Sequence, residues 1–124
     1  MTSIVCILVV DDSPIQRRIC SSTLKANGYN VVLAENGRQG VDMALQHHPD
    51  LILMDITMPE LDGLSATREL RTHRAMAHLP ILALAASSDA DELAVARQAG
   101  YSDIVNKSDD RLVLLDKVRR WISR

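Results

Sequence analysis

Four side chains in this chain stand where chemistry is most often done. Asp11 and Asp12 directly follow the aliphatic run Ile4 to Val10, Asp55 directly follows Leu51 to Met54, and Lys107 lies just beyond the short run Ile104 to Val105. Singly, none of these is informative. Acidic residues at a helix start ordinarily act as caps that complement the helix dipole, and a lysine after a strand is ordinarily solvated. Together they describe a pocket with three carboxylates and one ammonium. Carboxylates crowded into a partly dry pocket repel one another, and a hard divalent cation held by oxygen ligands resolves that repulsion. Mg²⁺ suits such a site, since it takes one or two carboxylates, keeps several waters and completes its shell with phosphate oxygen. An aspartate can also accept a phosphoryl group covalently, with a metal ion and a lysine neutralising the spread charge.

The elements that must bring these residues together follow from hydrophobic patterning. Apolar runs of β-branched and aliphatic residues occur at Ile4 to Val10, Val31 to Ala34, Leu51 to Met54, Ile81 to Ala85 and Ile104 to Val105, each followed by a helical pattern. Most are continuous rather than alternating, as expected of strands covered by helices on both faces, which predicts a parallel sheet. Helix punctuation agrees. Ser13 and Pro14 open a helix over 14–27 that Gly28 closes, Asn36 caps a second that Pro49 blocks, and a third runs from about Gly63 to His73 with Leu64, Thr67, Leu70 and Arg71 at helical spacing. Ser88 with Asp91 resembles a capping box for a fourth helix ending at Gly100, and Ser108 or Asp109 caps a fifth with the inward stripe Leu112, Leu115, Val118 and Ile122. Right-handed β-α-β crossovers then give an open doubly wound sheet, with its site beyond the carboxyl ends of the strands. Strands 1, 3 and 5 end at the four residues above.

Composition narrows the alternatives. With 124 residues, 47% hydrophobic and 24% charged, the chain has the size and balance of one domain spanning 1–124, with no linker or repeat. A net charge of -2 supplies no bulk attraction for nucleic acid or anionic lipid, and 2% aromatics with no Phe supplies no base-stacking platform. The longest apolar run is far short of a membrane span, and two cysteines, Cys6 and Cys20, make no disulfide framework and read as buried small hydrophobes. A cytoplasmic protein is the expectation. The first loop carries two negative charges where a dinucleotide or flavin carrier needs a phosphate-cradling loop. His47, His48, His73 and His78 lack ligand spacing with Cys or acidic partners and read as surface residues. Trp121 is either a lid on the core or a contact residue.

The pattern Asp11-Asp12-Ser13 after strand 1, Asp55-Ile56-Thr57-Met58-Pro59-Glu60-Leu61-Asp62-Gly63 after strand 3, and Asn106-Lys107 after strand 5 resembles the receiver domain of bacterial two-component response regulators. The resemblance implies a flavodoxin-like (βα)5 sandwich, a five-stranded parallel sheet in order 2-1-3-4-5. It implies a phospho-acceptor signalling domain rather than an enzyme. Asp55 would take a phosphoryl group from a histidine kinase or a histidine phosphotransfer protein. Asp12 would ligate Mg²⁺ directly and Asp11 mainly through water, while the Thr57 carbonyl completes the protein's share of the shell and Lys107 pairs with a phosphoryl oxygen. A downstream protein would be engaged through the face of the fourth helix, fifth strand and fifth helix, with no nucleic acid or membrane involved directly. Gly63 is expected to supply backbone angles closed to other residues.

The sequence departs from that family at linked positions. Receivers carry Thr or Ser at the end of strand 4, whose hydroxyl bonds the phosphoryl group; here the residue is Ala85. The aromatic side chain that moves in concert falls at Ile104, and the usual Pro after the lysine is Ser108. Ser87 is a candidate to reach back in place of the missing hydroxyl. The alternative function is a pseudo-receiver binding module that works without phosphorylation. A phosphoaspartyl hydrolase of the haloacid dehalogenase type needs a second Asp two residues after the nucleophile, where this chain has Thr57. A bound group shifts a conformational equilibrium only through differential contacts with the two states, so Ala85→Thr is expected to enlarge the response of fourth-helix amide shifts to a phosphoryl mimic; an unchanged response would remove the role given to position 85.

Overall fold

The computed structural model describes residues 4–86 and 89–123. Five parallel strands, β1 (Cys6–Val10), β2 (Asn30–Ala34), β3 (Leu51–Asp55), β4 (Ile81–Ala85) and β5 (Asp103–Asn106), form one sheet in the order β2-β1-β3-β4-β5. The helices α1 (Pro14–Ala26), α2 (Gly37–His47), α3 (Gly63–Arg71), α4 (Ala90–Ala99) and α5 (Arg111–Ile122) connect them, with a short 3₁₀ turn at Arg74–Met76 that hydrophobic periodicity does not announce. None of the described helices is long and apolar enough to cross a membrane.

Strand alternation divides the apolar residues between two layers. Ile7, Val9, Leu51, Leu53, Leu82, Leu84 and Val105 pack with Cys20, Leu24, Leu114, Leu115 and Val118 of α1 and α5. Leu8, Val10, Ile52, Met54, Ile81, Ala83 and Ala85 pack with Val41, Ala44, Ala66, Leu70 and Ala96 on the other side. Burying this much aliphatic surface, at about 25 cal/mol per Å², is the main drive to fold. Because side chains alternate with period two, Asp11, Asp55 and Lys107 inherit the parity of Val9, Leu53 and Val105. Registers Val10↔Met54, Asp55↔Leu84 and Leu84↔Val105 set Asp11 level with Asp55 at the carboxyl edge and put Lys107 two residues further on, from where its long side chain reaches back.

The caps show where local chemistry and expectation meet. Ser13 accepts from the Gln16 amide ahead of Pro14, Asn36 accepts from Gln39, and Gly28 and Gly100 take left-handed angles at helix ends. His48 is also left-handed, with φ 46°, and closes α2 just ahead of Pro49, its amide donating to the Ala44 carbonyl. Several expectations are corrected. The cap of α5 is Asp110, which accepts from the Leu112 amide, rather than Ser108 or Asp109. The inward stripe differs too: Leu112 is exposed, while Leu114 is buried beside the expected Leu115 and Val118. Asp89 caps α4 by accepting from the Asp91 and Glu92 amides; Ser88, expected there, and Ser87 lie outside the described residues. Cys20 is buried but Cys6 is only partly so.

Arg71 is the largest departure from its sequence reading as one more residue of the α3 pattern. Its guanidinium is half-buried and donates to the carbonyls of Met76 (2.7 Å), Leu79 (2.6 Å) and Gly100 (2.8 and 3.0 Å), and to the Ser102 hydroxyl (3.2 Å). One planar cation thus satisfies the end of α4, the 3₁₀ turn and the approach to β4, which the five-donor fork of arginine allows and lysine's does not. Arg71→Met keeps the stem and removes the donors. It is expected to lower stability by about 2–4 kcal/mol in urea unfolding, through carbonyls left without partners; an unchanged midpoint would show that water replaces the guanidinium without loss.

Candidate functional site

The site is built on chain turns that leave β1, β3 and β5. Asp11 is fully buried. Its Oδ1 accepts from the Ser13 amide at 2.9 Å, so the residue that caps α1 is itself held by the carboxylate ahead of it. Its backbone carbonyl accepts from Arg17 Nη1 at 2.7 Å, pinning the first turn of α1 to the end of β1. Asp12 is exposed and presents its carboxylate from the rim.

Asp55 is the last residue of β3 and 6% exposed. Lys107 Nζ donates to Asp55 Oδ2 at 2.8 Å and stands 3.2 Å from Asp11 Oδ2, while the Thr57 amide donates a long 3.4 Å bond to Asp55 Oδ1. Lys107 is positioned by its own amide, which donates to the Ala85 carbonyl at 2.8 Å. All four expected residues therefore meet, and Thr57 lies beside them with its side chain exposed. One oxygen from each of Asp11, Asp12 and Asp55 lies within 4.8 Å of the others.

The electrostatics of this cluster are unbalanced. Burial pushes the Asp55 carboxyl up to about 6; the Lys107 hydrogen bond opposes that rise, and the charge of Asp11 adds to it. Burial alone would lower the Lys107 ammonium, but its hydrogen bond to Asp55 and the charges of Asp55 and Asp11 outweigh that and hold it above its usual range. Asp11 Oδ2 is a buried oxygen with no aligned hydrogen-bond donor, its contact with Lys107 being one of charge. An orphaned carboxylate oxygen facing two further carboxylates is the donor set that a hard, oxygen-seeking dication fits.

Loop geometry beyond Asp55 explains a glycine differently from expectation. Gly63 is an ordinary first residue of α3, capped by Asp62, which accepts from the Ser65 amide. Its requirement is space, since a Cβ there would overlap the Asp55 carbonyl oxygen and the Tyr101 hydroxyl. The left-handed residue of the loop is instead Glu60, with φ 68°. A Cβ at Gly37 would likewise strike the Leu61 carbonyl, so α2 braces the same loop.

Ala85 is buried at the end of β4 and Ile104 is 9% exposed in β5, so the hydroxyl and aromatic positions are both filled by aliphatic side chains. The four histidines are exposed. Trp121 is half-buried and its indole donates to Asp103 at 2.9 Å, which makes it a lid on β5 with a polar tether. Tyr101, Arg17 and Arg71 touch the site or its supports, and nothing in a single sequence marks them, because each acts through a backbone carbonyl that any residue would present.

The raised Asp55 value sets a pH dependence for the metal-free protein. Its folded value lies above the ordinary 3.8, so its contribution is fully present below about pH 4 and is lost as pH rises through about 6. Asp55→Asn is expected to raise metal-free stability at neutral pH by about 1–3 kcal/mol and to flatten its decline between about pH 4 and 6 in thermal melts. A variant no more stable than the parent would show that the Lys107 bond outweighs burial.

Comparison with known proteins bears on the family and the fold. Residues 7–119 match the family model described as the response regulator receiver domain. The chain is 35% identical over 112 residues to protein PilH of Pseudomonas aeruginosa, covering 90% of this chain and 93% of that protein. It is 32% identical over 101 residues to the polar-differentiation response regulator DivK of Brucella ovis, covering 82% of each. Among solved structures, the receiver domain of sensor histidine kinase PA1611 from Pseudomonas aeruginosa, described with a magnesium ion coordinated in its active site cleft, superposes with a TM-score of 0.92 at 36% identity, covering 98% of this chain and all (100%) of that one. Chemotaxis protein CheY4 of Vibrio cholerae superposes with a TM-score of 0.91 at 27% identity, covering 95% and 98%.

Proposed function

The chain belongs to the response regulator receiver domain family, and from that premise we propose that it is a single receiver domain, residues 1–124, that takes a phosphoryl group onto Asp55. The donor is the phosphohistidine of a histidine kinase or phosphotransfer protein in a cytoplasmic two-component pathway. The observation that carries the reading is the Asp55 carboxylate, buried, bonded by Lys107 at 2.8 Å and faced by an Asp11 oxygen without a donor.

A carboxylate oxygen of Asp55 attacks phosphorus in line, the bond from phosphorus to the imidazole nitrogen breaks, and the imidazole leaves with that electron pair. The product is an acyl phosphate on Asp55. No general base is needed, since an ionised carboxylate has no proton to lose. Lys107 exchanges its bond to Asp55 Oδ2 for one to a phosphoryl oxygen, and the Thr57 amide remains as a donor at the other side of the carboxylate. Asp11, Asp12, Asp55 and the Thr57 backbone carbonyl would hold Mg²⁺; when bound, the ion neutralises charge on the phosphoryl oxygens and relieves the repulsion among the carboxylates. Asp11 is kept in place by the Ser13 amide and the Arg17 contact to its carbonyl. Thr57 stands where a phosphoaspartyl hydrolase would need an acid, which supports signalling over turnover. The output runs through protein contacts at the face of α4, β5 and α5.

A second reading has one observation behind it. Ala85 offers no hydroxyl to a phosphoryl group and Ile104 no aromatic ring, which favours a pseudo-receiver that binds partners without being phosphorylated. Intact mass after incubation with Mg²⁺ and acetyl phosphate separates the two. One added phosphoryl group is expected, absent from Asp55→Asn and absent without Mg²⁺. No gain, with kinase as well as acetyl phosphate, would overturn the acceptor reading in favour of the phosphorylation-independent module.

A further inference from the structure

Tyr101 occupies an unusual place between the phospho-acceptor and the end of α4. It follows Gly100, the left-handed residue that closes α4, and precedes β5. Its ring is 4% exposed, and its hydroxyl donates to the backbone carbonyl of Asp55 across 46 residues of sequence. That bond is 3.3 Å long, well beyond the roughly 2.7–2.8 Å usual between two oxygens, so it has room to tighten. The Thr67 hydroxyl of α3 stands beside the phenol, and burial pushes the phenol's ionisation far up, so it is a neutral donor at every working pH.

The surroundings give that single bond a direction. On the α4 side, the carbonyl of Gly100, the residue before Tyr101, is clamped by two bonds from Arg71, so Tyr101 joins the end of α4 through a held peptide and not a slack loop. On the Asp55 side, the carbonyl belongs to the same residue whose carboxylate gains a group, and Gly63 leaves no free volume above it. The aliphatic side chains at Ala85 and Ile104 offer no polar contact between the acceptor and β5. A bound group moves an equilibrium only through contacts that differ between states, and the Tyr101 hydroxyl is a contact whose length is set by the attitude of the Asp55 peptide.

We propose that Tyr101 is a positioning residue that couples the state of Asp55 to the α4–β5 corner, its hydroxyl reading the Asp55 main-chain carbonyl. The inference rests on Asp55 being the phosphoryl acceptor. It assigns the response to a residue outside strands β4 and β5, and it requires the hydroxyl, since the ring alone would only fill space.

The chain holds two tyrosines, which makes the test direct. Tyr29 sits at the opposite end of the sheet, just before β2, and serves as an internal reference. The whole chain labelled with fluorotyrosine is followed by fluorine NMR as Mg²⁺ and beryllofluoride, a stand-in for the phosphoryl group, are added. Tyr101→Phe, which retains the ring, assigns the signals. The Tyr101 resonance is expected to move while that of Tyr29 stays. In amide spectra the shift response of Ala90–Ala99 is expected to fall at least twofold in Tyr101→Phe, with Asp55 still gaining phosphoryl mass. Movement of the Thr57 and Lys107 amides with a static Tyr101 signal, or an undiminished α4 response in Tyr101→Phe, would overturn the coupling while leaving the acceptor intact. Static Thr57 and Lys107 amides together with no mass gain would instead remove the acceptor reading, and the coupling with it.

Discussion

Lys107 sits between two buried carboxylates, and much of the molecule is arranged around that triad. Carboxylates about 5 Å apart at an effective dielectric of about 20 repel by about 3–4 kcal/mol, and one ammonium can be well aligned with only one of them at a time. Here it is aligned with Asp55, leaving Asp11 Oδ2 with charge contact but no hydrogen bond. The folded chain therefore carries an unmet demand for positive charge at one edge of its sheet, offset by an apolar interior on both sides. A site with that deficit gains stability from whatever supplies cations there, and a net addition of negative charge at Asp55 without a cation would be strongly disfavoured. Charge balance, more than shape, decides what the pocket accepts.

Parity and closeness hold the triad together. Strand alternation sends Asp11, Asp55 and Lys107 toward the layer of α1 and α5, and the register levels the two carboxylates while Lys107, two residues further along, reaches back to them. The residues between strand and helix then do the fine placement through main-chain groups: the Ser13 amide on Asp11, Arg17 on the Asp11 carbonyl, the Ala85 carbonyl under the Lys107 amide. Gly63 permits the helix after Asp55 to begin directly against the Asp55 carbonyl. Side chains carry the charge, but backbone atoms set the distances.

That division explains what a reader of the sequence can and cannot see. The five strands and the meeting of Asp11, Asp12, Asp55 and Lys107 are written in residue type and spacing, because hydrophobic period and strand-end charge are local properties; the sheet order is not local and was implied only by the family resemblance. The α5 cap was legible to within two residues: three consecutive polar residues, Ser108, Asp109 and Asp110, compete for it, and Asp110 takes it. The reason for Gly63 was not legible, since a required absence of volume depends on what lies opposite. Tyr101 and Arg71 were invisible for a related reason. Each bonds to a carbonyl brought near by the crossover connections, and such an acceptor leaves no mark on the residue that owns it.

The Arg71 clamp gives α4 the character of a lever with one fixed end. Its buried residues, Ala96 and Ala99, both lie in the last turns, beside the Gly100 carbonyl that Arg71 holds, whereas Ala90 and Asp91 at the start are exposed. A helix of ten residues is about 15 Å long, so a tilt of about 4° about its held end carries the first residue through about 1 Å. Movements too small to break any bond at the fulcrum become displacements of about 1 Å at the tip.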